Sequence, residues 1–205
     1  MTTDLRTHDA DGLARCWWAG APDLRDAPMV AYHDTEWGMP VSGDVDLFER
    51  LSLEGFQAGL SWSTILNKRD GFRRAFAGFQ PAAVAAFDDA DRARLMADAG
   101  IVRNRSKIDA TIGNATAFLA VVAEHGSFAT FLASALGRDP GVPRVLPAGT
   151  TFADLTATTP ESDALSNELK RRGFRFVGST IVYAFMESVG IVDDHIPGCW
   201  RYRGA

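Results

Sequence analysis

Cysteine is scarce in this chain: only Cys16 and Cys199 occur among 205 residues, near opposite ends. Two distant thiols cannot form the disulfide framework of a small secreted scaffold. Long apolar runs are also missing, and none approaches the ~20 residues a membrane helix needs. The opening MTTDLRTHDADG lacks the charged-then-apolar layout of a secretory signal. No membrane association and a cytoplasmic location are therefore expected. Positive charge is in deficit, with 21 Lys and Arg against 26 Asp and Glu for a net charge of -5. Such a chain is not drawn to nucleic acid as a whole, so phosphate binding would need a local basic patch. Alternating strand patterns are nearly absent, and there are no repeats or low-complexity tracts. An all-α protein is the expectation.

The organisation reads as a loose leader over residues 1–14 and a single domain over 15–205. Residues 15–40 are rich in Pro, Gly and aromatics without a clean period, and read as an irregular wrap. Asp44 is placed to cap a helix carrying LFERLSLEGFQAG that ends near Gly59. A second helix is expected over Trp62–Phe76. Pro81 opens another, and Asp88 or Asp89 caps one that stops at Gly100. A long helix follows from about Asn104 to Glu124, with Ile108, Ile112, Ala115, Leu119 and Val122 at helical spacing. Ser127 opens FATFLASAL. Residues 137–160 carry four prolines and read as a loop between two lobes. Pro160 and Ser162 open a helix closing at Gly173, and Gly178–Val189 is an apolar helix.

Within 47–62 (LFERLSLEGFQAGLSW), Leu47, Leu51 and Ala58 share a helical face with Glu54. A carboxylate in an apolar stripe is costly unless a positive or donor group meets it. With Leu60 and Trp62 just beyond the helix end, the pattern suggests a pocket for a flat, cationic or donor-rich guest. A half-exposed Glu beside a core Trp is the plainer alternative.

His195 and Cys199 have the spacing H-x-x-x-C, while Cys16 and His33 lie at the other end. Together they supply two thiolates and two imidazoles, a closed tetrahedral zinc set with no position for water. Such a metal would be structural and would tie the chain ends together, and the absent open position argues against a zinc hydrolase. Two unrelated buried thiols and two satisfied histidines remain the alternative. His8 and His125, in polar contexts, are read as surface residues.

Residues 95–115 read as helix, turn at Gly100, helix, with Arg103, Arg105 and Lys107 crowding the second start. Exposed N–H groups and the helix dipole there would favour phosphate, as in a helix-hairpin-helix. A second basic cluster, Lys170, Arg171, Arg172 and Arg175, ends another helix, where simple capping also accounts for it.

AYHDTEWGMP (31–40), LSLEGFQAGLSW (51–62), DAGIVRNRSKIDATIGNA (98–115), SDALSNELKRRGFRFVG (162–178) and DDHIPGC (193–199) occur in order. Together they resemble the family of bacterial 3-methyladenine DNA glycosylase I, the constitutive alkylation-repair glycosylase, from about Arg15 to Tyr202. The resemblance implies a divergent helix-hairpin-helix glycosylase fold with its termini tied by one structural zinc per chain, held by Cys16, His33, His195 and Cys199. It implies a base pocket of Glu54, Tyr32 and Trp62 with Trp37 as floor or wall, and it makes Glu54 the catalytic candidate. Tyr32 and Trp62 would sandwich the cationic base, and an ionised Glu54 would accept from the adenine edge. Gly59 and Leu60 would fill the gap left by an extruded nucleotide. Met29 stands where a second tyrosine is expected. The implied partner is double-stranded DNA carrying alkylated bases, with 3-methyladenine as product and no strand-cleaving lyase step. A monomer is expected. The rival function is a zinc-containing module that binds damaged DNA without turnover.

Overall fold

The computed structural model describes residues 6–8 (backbone only), 11–19 and 27–204. Helices dominate. The architecture is organised by α2 (Asp44–Gln57), whose Leu47, Phe48, Leu51, Leu53 and Phe56 are buried. It packs on α7 (Arg105–His125), α8 (Phe128–Leu136) and α10 (Ser179–Ser188), and α9 (Pro160–Arg171) backs α8 and α10. At one end of α2, Asp44 is the first helical residue rather than the cap; its Oδ1 instead accepts from Phe128 N–H at 2.9 Å, tying α8 to α2.

The expected helix over 62–76 is broken into α3 (Trp62–Asn67) and α4 (Arg69–Ala75), because Lys68 leaves helical geometry (φ -102°, ψ 0°). Proline and the aspartate cap act as expected in α5 (Pro81–Ala85) and α6 (Asp89–Ala97), where Asp88 forms a reciprocal capping box with Asp91. A tight turn then leads to α7, capped by Asn104, whose side chain accepts from Lys107 N–H at 3.1 Å. Gly71 on α4 lies against the Gly100 backbone, so a Cβ there would collide with the Gly100 carbonyl. Along α7, Phe118 and Val121 are buried while Leu119 is largely exposed. The inward stripe follows Phe118 because it stacks on Phe128 at 4.3 Å.

Three sequence expectations change. The irregular wrap contains a helix, α1 (Ala27–Thr35). Part of the expected leader forms β1 (Arg6–His8), antiparallel to β2 (Ala14–Cys16); the rest of its first ten residues lies outside the described ones. The 137–160 loop contributes β3 (Arg144–Val145), paired in parallel with β4 (Val192–Asp193). These strands are too short to leave an alternating signature. Both fasten chain ends, since β2 and β4 lead directly into Cys16 and His195.

Most apolar side chains form one core around α2, α7, α8 and α10. A smaller cluster collects Cys16, Tyr32, Trp37, Leu66, Leu146, Ile196 and Cys199, and Trp62 touches both. No single helix among the described residues is long and apolar enough to cross a membrane.

Candidate active site

Glu54 lies on the last turns of α2, 3% exposed, and faces a cavity of about 420 Å³. Tyr32 from α1, Trp37 from the turn just after it, Trp62 from α3, and Trp18 wall it, and Met29 lies on its lining. Trp17, Trp18, Gln57 and Glu187 also line it but were not singled out from sequence. The tryptophans follow Cys16 in a segment without periodicity. Glu187 did carry a signal, as the one charged residue between Ser179 and Val189.

Two polar atoms on the wall are buried without a hydrogen-bond partner: Glu54 Oε2 and Trp62 Nε1. Burial pushes the Glu54 carboxyl up to about 8, opposed by the Arg50 charge. Without a guest, burial thus favours the protonated form of Glu54. Arg50 does not pair with it directly, although the buried Arg50 Nη1 has no partner of its own. Its Nη2 donates to Glu36 at 2.6 Å, and its Cζ sits 5.6 Å from the Tyr32 ring centre. Glu36 also takes both Arg69 nitrogens, at 2.7 and 2.9 Å. Burial opposes Glu36 ionisation, but Arg69 and Arg50 outweigh it and hold that carboxyl below its usual range.

The aromatic sandwich is also corrected. Tyr32 and Trp62 are 5.1 Å apart and tilted by 49°. A flat ring between two parallel faces needs about 7 Å. The two rings instead touch and form a corner, continued by Trp18 against Trp37 at 4.8 Å.

Behind the aromatic wall, Cys16, His33 and Cys199 are buried, with ligand atoms all within 4.8 Å of one another. That group can hold a metal ion. His195 is adjacent, its ring 4.8 Å from His33 and 4.6 Å from Trp37, and its buried Nε2 has no partner. Each imidazole is oriented by a carboxylate: Asp34 at 2.7 Å from His33 Nδ1, Asp193 at 2.5 Å from His195 Nδ1. Hydrogen bonding from Cys16 pulls the Cys199 thiol down to about 4, and Cys16 is held up in return. Of the rival histidines, His125, the last residue of α7, packs edge-on to Phe131, and His8 falls where only backbone is described.

The basic residues separate. Arg103 and Arg105 are exposed at the start of α7. Lys107 is 6% exposed, and its Nζ donates to the carbonyls of Phe56 at 2.7 Å and Ala58 at 2.6 Å. Grouping Lys107 with the phosphate ligands is thereby corrected: its ammonium is spent on carbonyls that α2 leaves unpaired at its end. Half of the second cluster is neutralised, since Arg171 and Arg172 pair with Glu168, and Arg172 with Glu124. Gly59 adopts φ +76°, a turn that favours glycine, and lifts Leu60 to 42% exposure beside the cavity.

A family model described as methyladenine glycosylase matches residues 20–202. The chain belongs to that family. Among curated relatives of this methyladenine glycosylase, DNA-3-methyladenine glycosylase 1 of Escherichia coli K12 is 45% identical over 94% of this chain and 98% of its own. DNA-3-methyladenine glycosylase of Haemophilus influenzae is 40% identical, covering 90% and 96%. The crystal structure of a 3-methyladenine DNA glycosylase I superposes with TM-score 0.85 at 44% identity, covering 92% of this chain and all of that one. The Staphylococcus aureus enzyme, studied for 3-methyladenine recognition, gives 0.82 at 35% identity, covering 89% and 95%. A variant enzyme solved in complex with 3-methyladenine gives 0.80 at 35% identity, covering 87% and 94%.

Proposed function

We infer that this chain is a DNA repair glycosylase that hydrolyses the N-glycosidic bond of 3-methyladenine in alkylated duplex DNA. Free base and an abasic site are the products, and no lyase step follows. The observation that carries this reading is the pair of unpartnered buried atoms, Glu54 Oε2 and Trp62 Nε1, on one aromatic cavity. A buried acceptor beside a buried donor is costly unless a guest completes both. An adenine edge offers an amino donor and ring-nitrogen acceptors.

N3-methylation gives adenine a positive charge and makes it a good leaving group. The aromatic corner attracts that charge by ~0.5–2 kcal/mol per favourable face. Tyr32 and Trp62 must splay for a full sandwich, or the base stacks on one face and meets the other edge-on. The cation shifts Glu54 towards its ionised form, which accepts from the amino group in a charge-assisted hydrogen bond. Glu54 thus acts in recognition first, with the labile bond supplying most of the chemistry. Extruding the nucleotide costs a few kcal/mol. Leu60, held out by the Gly59 turn, fills the vacated space, and the turn at Gly100 with Arg103 and Arg105 grips the backbone phosphates as a helix-hairpin-helix.

One structural zinc per chain is read at Cys16, His33, Cys199 and His195. The mixed thiolate–imidazole donor set and the orphaned His195 Nε2 support it. The carboxylates of Asp34 and Asp193 are the outer partners such histidines use. The ion braces the wall that carries Tyr32 and Trp37. Residues 15–205 act as one domain, and the protein as a monomer.

The test is incubation with methylated duplex DNA and chromatography of the released bases. Release of 3-methyladenine is expected, and Glu54→Gln should weaken binding of the free base. Tight binding of damaged duplex without base release would instead favour the non-catalytic module.

A further inference from the structure

Glu187 lies on α10 and lines the same cavity as Glu54. Among the described residues, no hydrogen bond or ion pair engages its carboxylate. It is the one charged residue of its helix, whose Val182, Phe185 and Met186 are buried in the core. A lone acid there has no structural partner, and a neutral side chain of the same length would fit without its desolvation cost. Two carboxylates, one buried donor and five aromatic side chains therefore surround one cavity.

We propose that Glu187 is a second base-reading carboxylate, selecting with Glu54 for a guest that brings a formal positive charge. This rests on the glycosylase reading above and adds to it a reason for discrimination between substrate and product. In the methylated nucleotide the base is cationic. When the C1′–N9 bond breaks, its electron pair stays on N9 and cancels the ring charge. A water oxygen then bonds to C1′ and gives up one proton. The guest enters as a cation, displacing a proton from the carboxylate pair, and leaves as a neutral base. The proton from the attacking water restores the pair. Two acids facing one site hold the substrate more tightly than the product, so the pocket empties after cleavage.

The charged and titratable groups around Glu187 come from several elements. Glu54 and Arg50 lie on α2, Tyr32 on α1 and Glu36 just after it, Tyr183 on α10 itself, with Arg144 on β3 and Asp194 after β4. Arg50 is paired with Glu36, and Arg144 Nη2 donates to the Tyr183 hydroxyl at 3.0 Å. Neither cation pairs directly with Glu187. Burial, then Asp194 and Glu54, push its carboxyl well above the usual range against the pull of Arg144. The pocket therefore loses its protons in two steps belonging to the pair.

The experiment compares wild type with Glu187→Gln in the full chain. It measures KM and kcat on methylated duplex across pH, and inhibition by free 3-methyladenine. In Glu187→Gln, KM for the duplex should rise by about tenfold, as for one screened charge pair, with kcat changed far less. Inhibition by the neutral free base should be unchanged or stronger. In wild type, kcat/KM should keep rising above the Glu54 step, and in the variant that upper limb should disappear. A variant with wild-type KM and an intact upper limb overturns the proposal while leaving the glycosylase reading in place. Absence of base release by wild type defeats the glycosylase reading itself, and with it this one. Should Glu187→Gln fail to fold, Glu187→Met faces the same outcomes.

Discussion

The ammonium of Lys107 closes the helix that carries Glu54. Its two hydrogen bonds, to the carbonyls of Phe56 and Ala58, join the start of α7 to the end of α2 across 49 and 51 residues of sequence. The turn of Gly59 and Leu60 begins one residue later. The element proposed to grip phosphate and the element proposed to enter the duplex are thus linked by one side chain.

Lys107→Met should lower stability by roughly 1–3 kcal/mol, the cost of leaving buried carbonyls unpaired. A melting curve checks this. The salt dependence of DNA binding should stay as in wild type, because the Lys107 ammonium is engaged by the Phe56 and Ala58 carbonyls. Arg103→Ala should leave the melting temperature unchanged and reduce the slope of log K against log salt by about one phosphate contact.

Leu60→Ala should separate stability from function. The side chain is 42% exposed, so the melting temperature should shift by no more than the roughly ±0.5 kcal/mol typical of surface changes. Base release from methylated duplex should fall about tenfold, because unstacking costs a few kcal/mol that the plug offsets. Binding of free 3-methyladenine should not change, which calorimetry can establish.

Glu54 makes the stability of the ligand-free protein depend on pH in a definite direction. Its folded-state pKa of about 8 lies above the ordinary 4.5, so the folded state holds the proton more tightly than the unfolded chain. The Glu54 contribution is intact below the ordinary value and is lost as pH rises towards about 8. Glu54→Gln should therefore gain melting temperature relative to wild type at pH 8 compared with pH 5. The gain should be about 2–4 °C for each kcal/mol of penalty removed. A constant difference across that range would contradict the assigned burial.

Cys199→Ser should lower both metal content and melting temperature. The tail is also fastened by Trp200 N–H donating to the Ala14 carbonyl at 2.8 Å, Trp200 Nε1–H to Asp34 at 3.1 Å and the Tyr202 hydroxyl to the Leu146 carbonyl at 2.8 Å, so the loss should be partial. Metal binding is coupled to ordering of such segments. Elemental analysis should find one zinc per chain in wild type, and His195→Ala should weaken its retention. An unchanged melting temperature with zinc retained in either variant would remove that residue from the ligand set.

Helix positions were legible because their signals are local. Asn104, Ser127 and Asp88 cap the helices they precede, and the 3.6-residue period of Ile108, Ile112 and Ala115 marks an inward face. Glu54 was legible for the same reason, as an acid within an apolar stripe, and Glu187 carried that signal too. Residue chemistry also marked Cys16, His33, His195 and Cys199 as a possible ligand set, though not their proximity.

Tertiary structure decided whatever depends on distance across the chain. It turned Lys107 from a surface cation into a buried helix clamp, paired Asp44 with Phe128, and left Tyr32 and Trp62 as a corner rather than an open sandwich. It also placed Glu187 on the cavity that Glu54 lines. Local sequence sets backbone preference and which face is apolar. Which polar atoms find partners, and which are left waiting for a guest, depends on packing between helices far apart in the chain.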